Sequence, residues 1–357
     1  MTDPFGVSAD VVLDSLSHAV DPVTLQAILD RGITELGPAG DVTLQAVRVV
    51  RYKPQRRCMI EYDLTVTQPP GGAGAVTVIG KVRRHRPGRH QHRLLRAFWD
   101  AGFDAGAADA ICVPQPMGEV PELAMWLQRR VTGVPATELL TGPQGAAIAP
   151  RLADAAHKIH LAAIPTNKSH RIADELHILG DCLETVADGR PELAARIHRL
   201  IDACHRAARA TPVLPATGIH RDFYPEHVLV EGQRLWIVDF DQWCLGDPAL
   251  DIGNFVAHLE ELALRKTGNP LSASPAVEAL VGRYLELAGH SHRVAIDVYT
   301  ALSLARLVGI SRGFEDRREL TSRLADHTET RFAAIACINS SQLELDPDMA
   351  GKENYST

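Results

Sequence analysis

Asp222 stands in the run HRDFYPEH, residues 220–227. Asp239 follows seventeen residues later in IVDFDQ, and Asp241 two residues beyond that. Their placement suits phosphoryl transfer. That reaction asks little covalent help of a protein; it needs charge neutralised and a nucleophile aligned. An aspartate beside an accepting hydroxyl takes its proton and orients it, which makes Asp222 the candidate base. An aspartate at the end of a hairpin strand can offer oxygen ligands to a hard ion such as Mg²⁺, so Asp239 and Asp241 are the candidate metal ligands. If that segment stays extended, residues two apart share a face and both carboxylates point the same way. Lys81, in AVTVIGKVRR, is the matching candidate for a phosphate contact.

The elements that must position these residues are legible from periodicity. TLQAVRVVRY and RCMIEYDLTV alternate on a period of two and are joined by KPQR, a hairpin pattern. AVTVIGKVRR is a third strand behind the turn PPGGAG at 69–74. A helix follows over 89–101 and is stopped by Gly102. ICVPQPMGEV and ELAMWLQRRV supply two further strands. The N-terminal 8–18 and 22–32 stretches have helical spacing, with Asp21 as a cap before the second. Beyond about 135 the pattern is helical: 144–162, 172–187, 191–210, 250–264, 275–288, 292–312 and 316–338. It is broken by HVLVEGQRLWIVDF, a hairpin turning at Glu231-Gly232. The expected architecture is α+β and two-lobed. A small antiparallel lobe, 1–130, has one inserted helix and the helices of 8–32; a larger helical lobe spans 131–345, and 346–357 is a polar, disordered tail.

Three blocks then stand in a telling order: the Lys81 strand, HRDFYPEHVLV (220–230), and IVDFDQWCLGDPALDIGNF (237–255). Over roughly 44–312 the chain resembles the aminoglycoside phosphotransferase and choline kinase family, small-molecule relatives of the protein kinases. A lone HRD tripeptide carries little; HRD, a hairpin, a DF-acid motif and GDPALD together are specific. The resemblance implies a protein kinase-like fold, ATP or GTP as phosphate donor and Mg²⁺ (with Mn²⁺ as an alternative). It also implies a small hydroxylated acceptor. Lys81 would reach the α- and β-phosphates, and Arg56 or Arg57 in the β-turn would supply side-chain donors where kinases use a glycine-rich loop. MWLQRRV, carrying Gln128 and Arg130, would be the hinge whose backbone bonds the adenine. Asp251 would support the catalytic loop by accepting its N–H groups, with Asp247 as a substrate-side or capping alternative. His220 would pack beneath the DF-acid loop.

Two departures from that pattern matter. Five residues after the base, where such enzymes place a metal-holding asparagine, this chain has His227. Imidazole is a poor ligand for Mg²⁺ beside an amide oxygen, so His227 is either a ligand tolerant of softer ions or a hydrogen-bonding partner of Asp222 or a phosphate. Asp241 would then compensate as a second carboxylate. The second departure is a missing acid: Val82 through Trp99 contains no Asp or Glu to pair with Lys81, leaving His90, Gln91, a carboxylate elsewhere, or Asp239 and the nucleotide alone to hold it.

Bulk properties exclude several classes. The 357 residues are 45% hydrophobic and 23% charged, ordinary for a soluble globular protein. No apolar run approaches a membrane span, and MTDPFGVSAD has no basic-then-apolar leader pattern, so a cytoplasmic protein is expected. Six scattered cysteines without a C-x-x-C pair suit buried thiols rather than a disulfide frame or zinc site. Among the sixteen histidines, those such as His157, His160 and His198 sit at helical spacing and suit core or surface roles. The basic runs RYKPQRR and KVRRHRPGRHQHR flank strands rather than one helix face, so nucleotide phosphates are a better target than nucleic acid. Residues 1–130 balance at +1 and residues 131–357 at −8, giving the net charge of −7, and the acidic second part favours a cationic acceptor or a solvated acidic face. A nucleotide-binding pseudokinase without turnover is the alternative.

Overall fold

The computed structural model describes residues 1–33, 35–36, 41–68, 72–84, 88–311 and 320–345. The tail expected at 346–357 lies outside them, as does the first part of the turn at 69–74. The chain divides into two compact units. One comprises 1–134 and 229–241, the other 135–228 and 242–357. The hairpin strand after the HRD block thus belongs with the N-terminal residues, which a single boundary at 130 does not capture.

The first unit is built on a five-stranded sheet. Strands β1 (Val42–Lys53), β2 (Arg57–Gln68) and β3 (Gly72–Arg83) run in sequence. After them come β4 (Ile111–Cys112), β5 (Pro116–Val120) and β6 (Met125–Arg129). The sheet order is β1-β2-β3-β6-β5, all antiparallel. Alternation places Val47, Ile60, Tyr62, Leu64 and Val78 in one core with Leu16 and Leu25. Gly80, next to Lys81, has no substitute: an added Cβ would come within 2.5 Å of Met125 Sδ and 2.6 Å of the Tyr62 ring. The hairpin strand Arg234–Ile237 adds to β4 in parallel, pairing Leu235 with Ile111.

The N-terminal segment differs from expectation. In place of one helix over 8–18 there is a 3₁₀ turn, Val7–Ala9, and a short helix α1, Leu16–Ala19; α2 follows at Pro22–Leu29, capped by Asp21. The reason is Asp10. Its carboxylate accepts the N–H groups of Val12 and Leu13 at 2.9 and 3.0 Å, a local bond that competes with helix formation. Helix α3 (Gly88–Phe98) follows β3 and continues into a π-turn, Trp99–Phe103, where Gly102 adopts φ 87°. The Phe98 ring meets Phe103 edge-on at 5.4 Å and Phe240 at 4.1 Å, fixing the helix against the DF-acid segment.

The second unit is helical: α4 (Ala136–Leu139), α5 (Gly145–Leu161), α6 (Ile172–Gly189), α7 (Ala194–Arg209), α8 (Ala249–Thr267), α9 (Ser274–Ala288), α10 (Arg293–Ser311) and α11 (Thr321–Leu345). A small sheet of Ser169–His170, Cys244–Gly246 and Thr217–Ile219 leads into the HRD block. Helix α8 is buried around most of its circumference, Asp251, Asn254, Glu260 and Glu261 included. It packs closely on α10 through Gly253, whose Cβ position lies 2.6 Å from Tyr299. By length and composition alone the helix of 290–311 could cross a membrane, its most apolar 18-residue window having a mean hydropathy of 1.5. Of that window, 72% is buried within the protein, as in a core helix.

Candidate active site

In the second unit the HRD loop is held by its backbone, and the side chain of Asp222, the candidate base, is left open. The carboxylate of Asp251, at the start of α8, is fully buried. It accepts the N–H of His220 at 2.8 Å and of Arg221 at 2.7 Å, and faces His160 Nε2 at 3.0 Å. The other nitrogen of that ring lies 2.9 Å from the Tyr284 hydroxyl. Asn254, one turn further along α8, donates to the carbonyl of Phe223 at 3.0 Å and accepts from Arg306 at 2.6 Å. Arg306 in turn faces buried Glu175 at 3.5 Å, and Glu175 meets His170 at 2.9 Å. Arg221 has φ 66°, a left-handed conformation that a non-glycine residue holds only where its surroundings over-determine it. The Asp222 side chain itself remains 40% exposed.

His220 is fully buried, with its ring 6.0 Å from Phe223 and 5.9 Å from His227. His227 places Nδ1 at 2.8 Å from the Asp222 carbonyl and 3.6 Å from its carboxylate. The Tyr224 ring is between two imidazoles, 4.2 Å from His227 and 4.4 Å from His258. Asp247 accepts from Ala249 N–H at 2.9 Å, a cap on the first turn of α8.

In the first unit the phosphate-binding candidates gather on β2 and β3. Lys81 is buried, with Nζ 5.9 Å from the Trp126 ring centroid on the neighbouring strand. Two residues on, Arg83 shares the same strand face. Its guanidinium donates to Asp239 at 3.1 Å and also pairs with Asp241. Arg57, directly opposite Arg83 in the β2–β3 register, lies 3.9 Å from Asp239. The two aspartates therefore converge, but not by extension. Asp239 has φ 69°, and Phe240–Gln242 form a 3₁₀ turn, so the shared face of an extended segment is replaced by a tight bend around a cation. Burial and the neighbouring Asp239 charge push the Asp241 carboxyl above its usual range, against the pull of Arg83 and Lys81.

Lys81, Gln91, Gln128, Trp126, Asp239 and Asp241 line one cavity of about 20 Å³, room for a single water. Gln91 is 4% exposed, and its Nε2 meets no hydrogen-bond partner among the described residues. Where a helix acid would pair with Lys81, the structure thus places a neutral amide. A second recess of 290 Å³ is lined by Lys53, Arg56, Arg57, Arg83 and Arg84. Desolvation, with Arg57, Arg51 and Arg56 nearby, lowers the Lys53 pKa. Arg130 turns elsewhere: its Nε donates to Glu61 at 2.9 Å and its backbone N–H to Thr77 at 2.9 Å.

The β1–β2 turn is braced from the N-terminal segment. Asp10 accepts from Gln55 N–H and from the Tyr52 hydroxyl, both at 2.7 Å, and Gln55 has φ 59°. Neither Asp10 nor Arg83 nor Asn254 stood out in the sequence. For Arg83 a signal existed, its two-residue spacing from Lys81 on one strand.

No group of three or more His, Cys, Asp and Glu gathers as a metal site among the described residues. Two carboxylates holding a guanidinium do suit Mg²⁺, which usually takes one or two carboxylates and completes its shell with phosphate oxygens and water.

The architecture recurs in solved structures. Amicoumacin kinase hAmiN in complex with AMP-PNP, Ca²⁺ and Ami superposes with a TM-score of 0.57 at 12% identity, covering 89% of this chain and 96% of that one. Choline kinase from Cryptosporidium parvum gives 0.53 at 12% identity, covering 93% and 100%. A thermostable mutant of aminoglycoside phosphotransferase APH(4)-Ia, in ternary complex with AMP-PNP and hygromycin B, gives 0.52 at 15% identity, covering 87% and 97%. At such identities the likeness is one of fold, protein kinase-like and α+β. No curated protein sequence matches the chain. The model of the phosphotransferase enzyme family matches residues 71–278, a span that includes Lys81, Asp222, Asp239, Asp241 and Asp251, and the chain belongs to that family.

Proposed function

We propose that this small-molecule phosphotransferase moves the γ-phosphate of ATP to a hydroxyl of a cationic small molecule such as an amino sugar, aminoglycoside or amino alcohol. One observation carries the reading. The loop backbone from His220 to Phe223 is pinned by buried Asp251 and Asn254, while the Asp222 carboxylate is left open to accept a proton. A loop that had lost its chemistry would have no need of this support around an exposed acid.

In this reading Asp222 accepts and orients the acceptor hydroxyl. Lys81, Arg56 and Arg57 bind the nucleotide phosphates, with Gln128 and the backbone near Arg130 at the base. Asp239 and Asp241 hold Mg²⁺, with His227 as a further ligand or as a brace for Asp222. Mg²⁺, when bound, neutralises charge on the phosphate oxygens. The acidic balance of residues 131–357 favours a positively charged acceptor.

The test is ATP turnover across amino alcohols, amino sugars and aminoglycosides, read as phosphorylated product by mass. Product formation that disappears in Asp222→Ala supports the reading. Nucleotide binding with no product from any acceptor would favour a pseudokinase.

A further inference from the structure

We infer that Arg83 serves as the resident cation of the Asp239–Asp241 pair and passes to the nucleotide's phosphates when a metal–nucleotide complex arrives. This rests on the kinase reading of the site and adds to it a residue that the kinase pattern does not require. The guanidinium spans both carboxylates, bonding Asp239 at 3.1 Å and pairing with Asp241. It also lines the basic recess with Lys53, Arg56, Arg57 and Arg84. Arg83 therefore stands at a boundary, with two anions on one side and four cations on the other.

Cross-strand like charges such as Arg57 and Arg83 disfavour the sheet unless an anion lies between or beside them. Two events have to go together. A divalent ion and the guanidinium compete for the same carboxylate oxygens and repel each other at that range, so metal binding drives Arg83 off the pair. A displaced Arg83 enters a field already positive, where only a polyanion offsets its charge. Phosphate oxygens in the recess supply that offset through planar, two-pronged hydrogen bonding, which suits arginine better than lysine. Metal and nucleotide should accordingly strengthen each other's binding through this one side chain, and the coupling must be reciprocal.

The experiment measures Mn²⁺ binding to nucleotide-free protein by the paramagnetic resonance of the unbound ion, and ATP binding in EDTA by calorimetry. It compares wild type, Arg83→Gln and Arg83→Lys. Circular dichroism of each variant confirms folding. The expected result is that Arg83→Gln binds Mn²⁺ alone about tenfold tighter or more than wild type, while its affinity for metal-free ATP falls. Arg83→Lys, still a cation, should restore weak Mn²⁺ binding. Unchanged or weaker Mn²⁺ binding in Arg83→Gln, with wild type still binding Mn²⁺ in the presence of ATP, overturns the exchange and leaves the kinase reading standing. If Asp239→Asn does not weaken Mn²⁺ binding in the presence of ATP, the carboxylate pair is not the metal site and both ideas fall.

Discussion

His227 and Asp222 are joined across one turn of the HRD loop, with the imidazole Nδ1 2.8 Å from the Asp222 carbonyl oxygen. A carbonyl only accepts, so Nδ1 carries the proton and the lone pair of the neutral ring lies at Nε2. That is the tautomer a metal-binding histidine shows when its second nitrogen is held by the backbone. It also serves a histidine that merely braces the loop. Replacing His227 with Asn separates the two. If Nε2 meets the ion, the variant should keep or raise Mg²⁺-supported turnover and show a smaller Mn²⁺-over-Mg²⁺ preference, because the amide oxygen is the harder ligand. A brace would instead lower stability and turnover with both ions alike. An unchanged ion ratio removes His227 from the metal.

For Asp222→Ala, loss of turnover on the order of a hundredfold or more is expected, with nucleotide affinity and thermal stability close to wild type. The loop's support comes from Asp251 and Asn254 acting on backbone atoms, so the Asp222 side chain is removable without unfolding it. Near wild-type turnover in this variant would refute the base assignment.

Asp10 gives a prediction in pH. Burial opposes its ionisation, but hydrogen bonds from Gln55, Tyr52, Leu13 and Val12 outweigh that and bring its pKa from 3.8 down to about 2. A carboxyl depressed on folding adds stability that is complete above its unfolded pKa and is lost as pH falls through the folded one. The stability gap between wild type and Asp10→Asn in urea unfolding should therefore be constant above about pH 5 and shrink from about pH 4 toward pH 2. Because Asp10 orders the turn that carries Arg56, the variant should also raise the KM for ATP about fivefold at neutral pH, what ~1 kcal/mol of lost hydrogen bonding is worth. A pH-independent gap would rule out the clamp.

Gln91 is a buried amide beside Lys81, and among the described residues its Nε2 lacks a partner. Gln91→Met should stabilise the protein by about 1 kcal/mol, since an unmet donor is exchanged for an apolar chain of like volume. The same change should lower kcat/KM about tenfold, roughly 1.4 kcal/mol, if the amide holds water or phosphate beside Lys81. Calorimetric unfolding and steady-state kinetics check the two halves. A variant both less stable and fully active would show that the amide is a structural group.

Much of this was legible because period and punctuation agree. The β1–β2–β3 ladder reads from alternation and KPQR, and the helices after 144 from apolar spacing between glycines and prolines. What stayed hidden depends on one side chain overriding its own neighbourhood. Asp10 bonds Val12 and Leu13 and so breaks a helix that the spacing of 8–18 favours. Asp239 adopts a left-handed backbone, so the alternation rule fails where the two carboxylates meet. The pairing of Arg234–Ile237 with Ile111–Cys112 joins residues over a hundred positions apart, and local pattern carries no trace of such a partner.

The division into 1–134 with 229–241, and 135–228 with 242–357, has a consequence for synthesis. The chain passes from one unit to the other after Val134, Val228 and Asp241, the last crossing immediately behind the candidate metal ligands. Synthesis proceeds from the N-terminus, and domains tend to fold as units when their chain is complete. The N-terminal sheet is made early, yet the segment 229–241 that belongs with it emerges only after 94 residues of the other unit, 135–228, have been made. A nascent chain of 200 residues has β1 to β6 but no Asp239 or Asp241 for Arg83 to bind, and its recess is wholly cationic. Ribosome-bound chains stalled before residue 239 should therefore retain polyphosphate or nucleic acid that chains stalled well beyond residue 241, once clear of the exit tunnel, release.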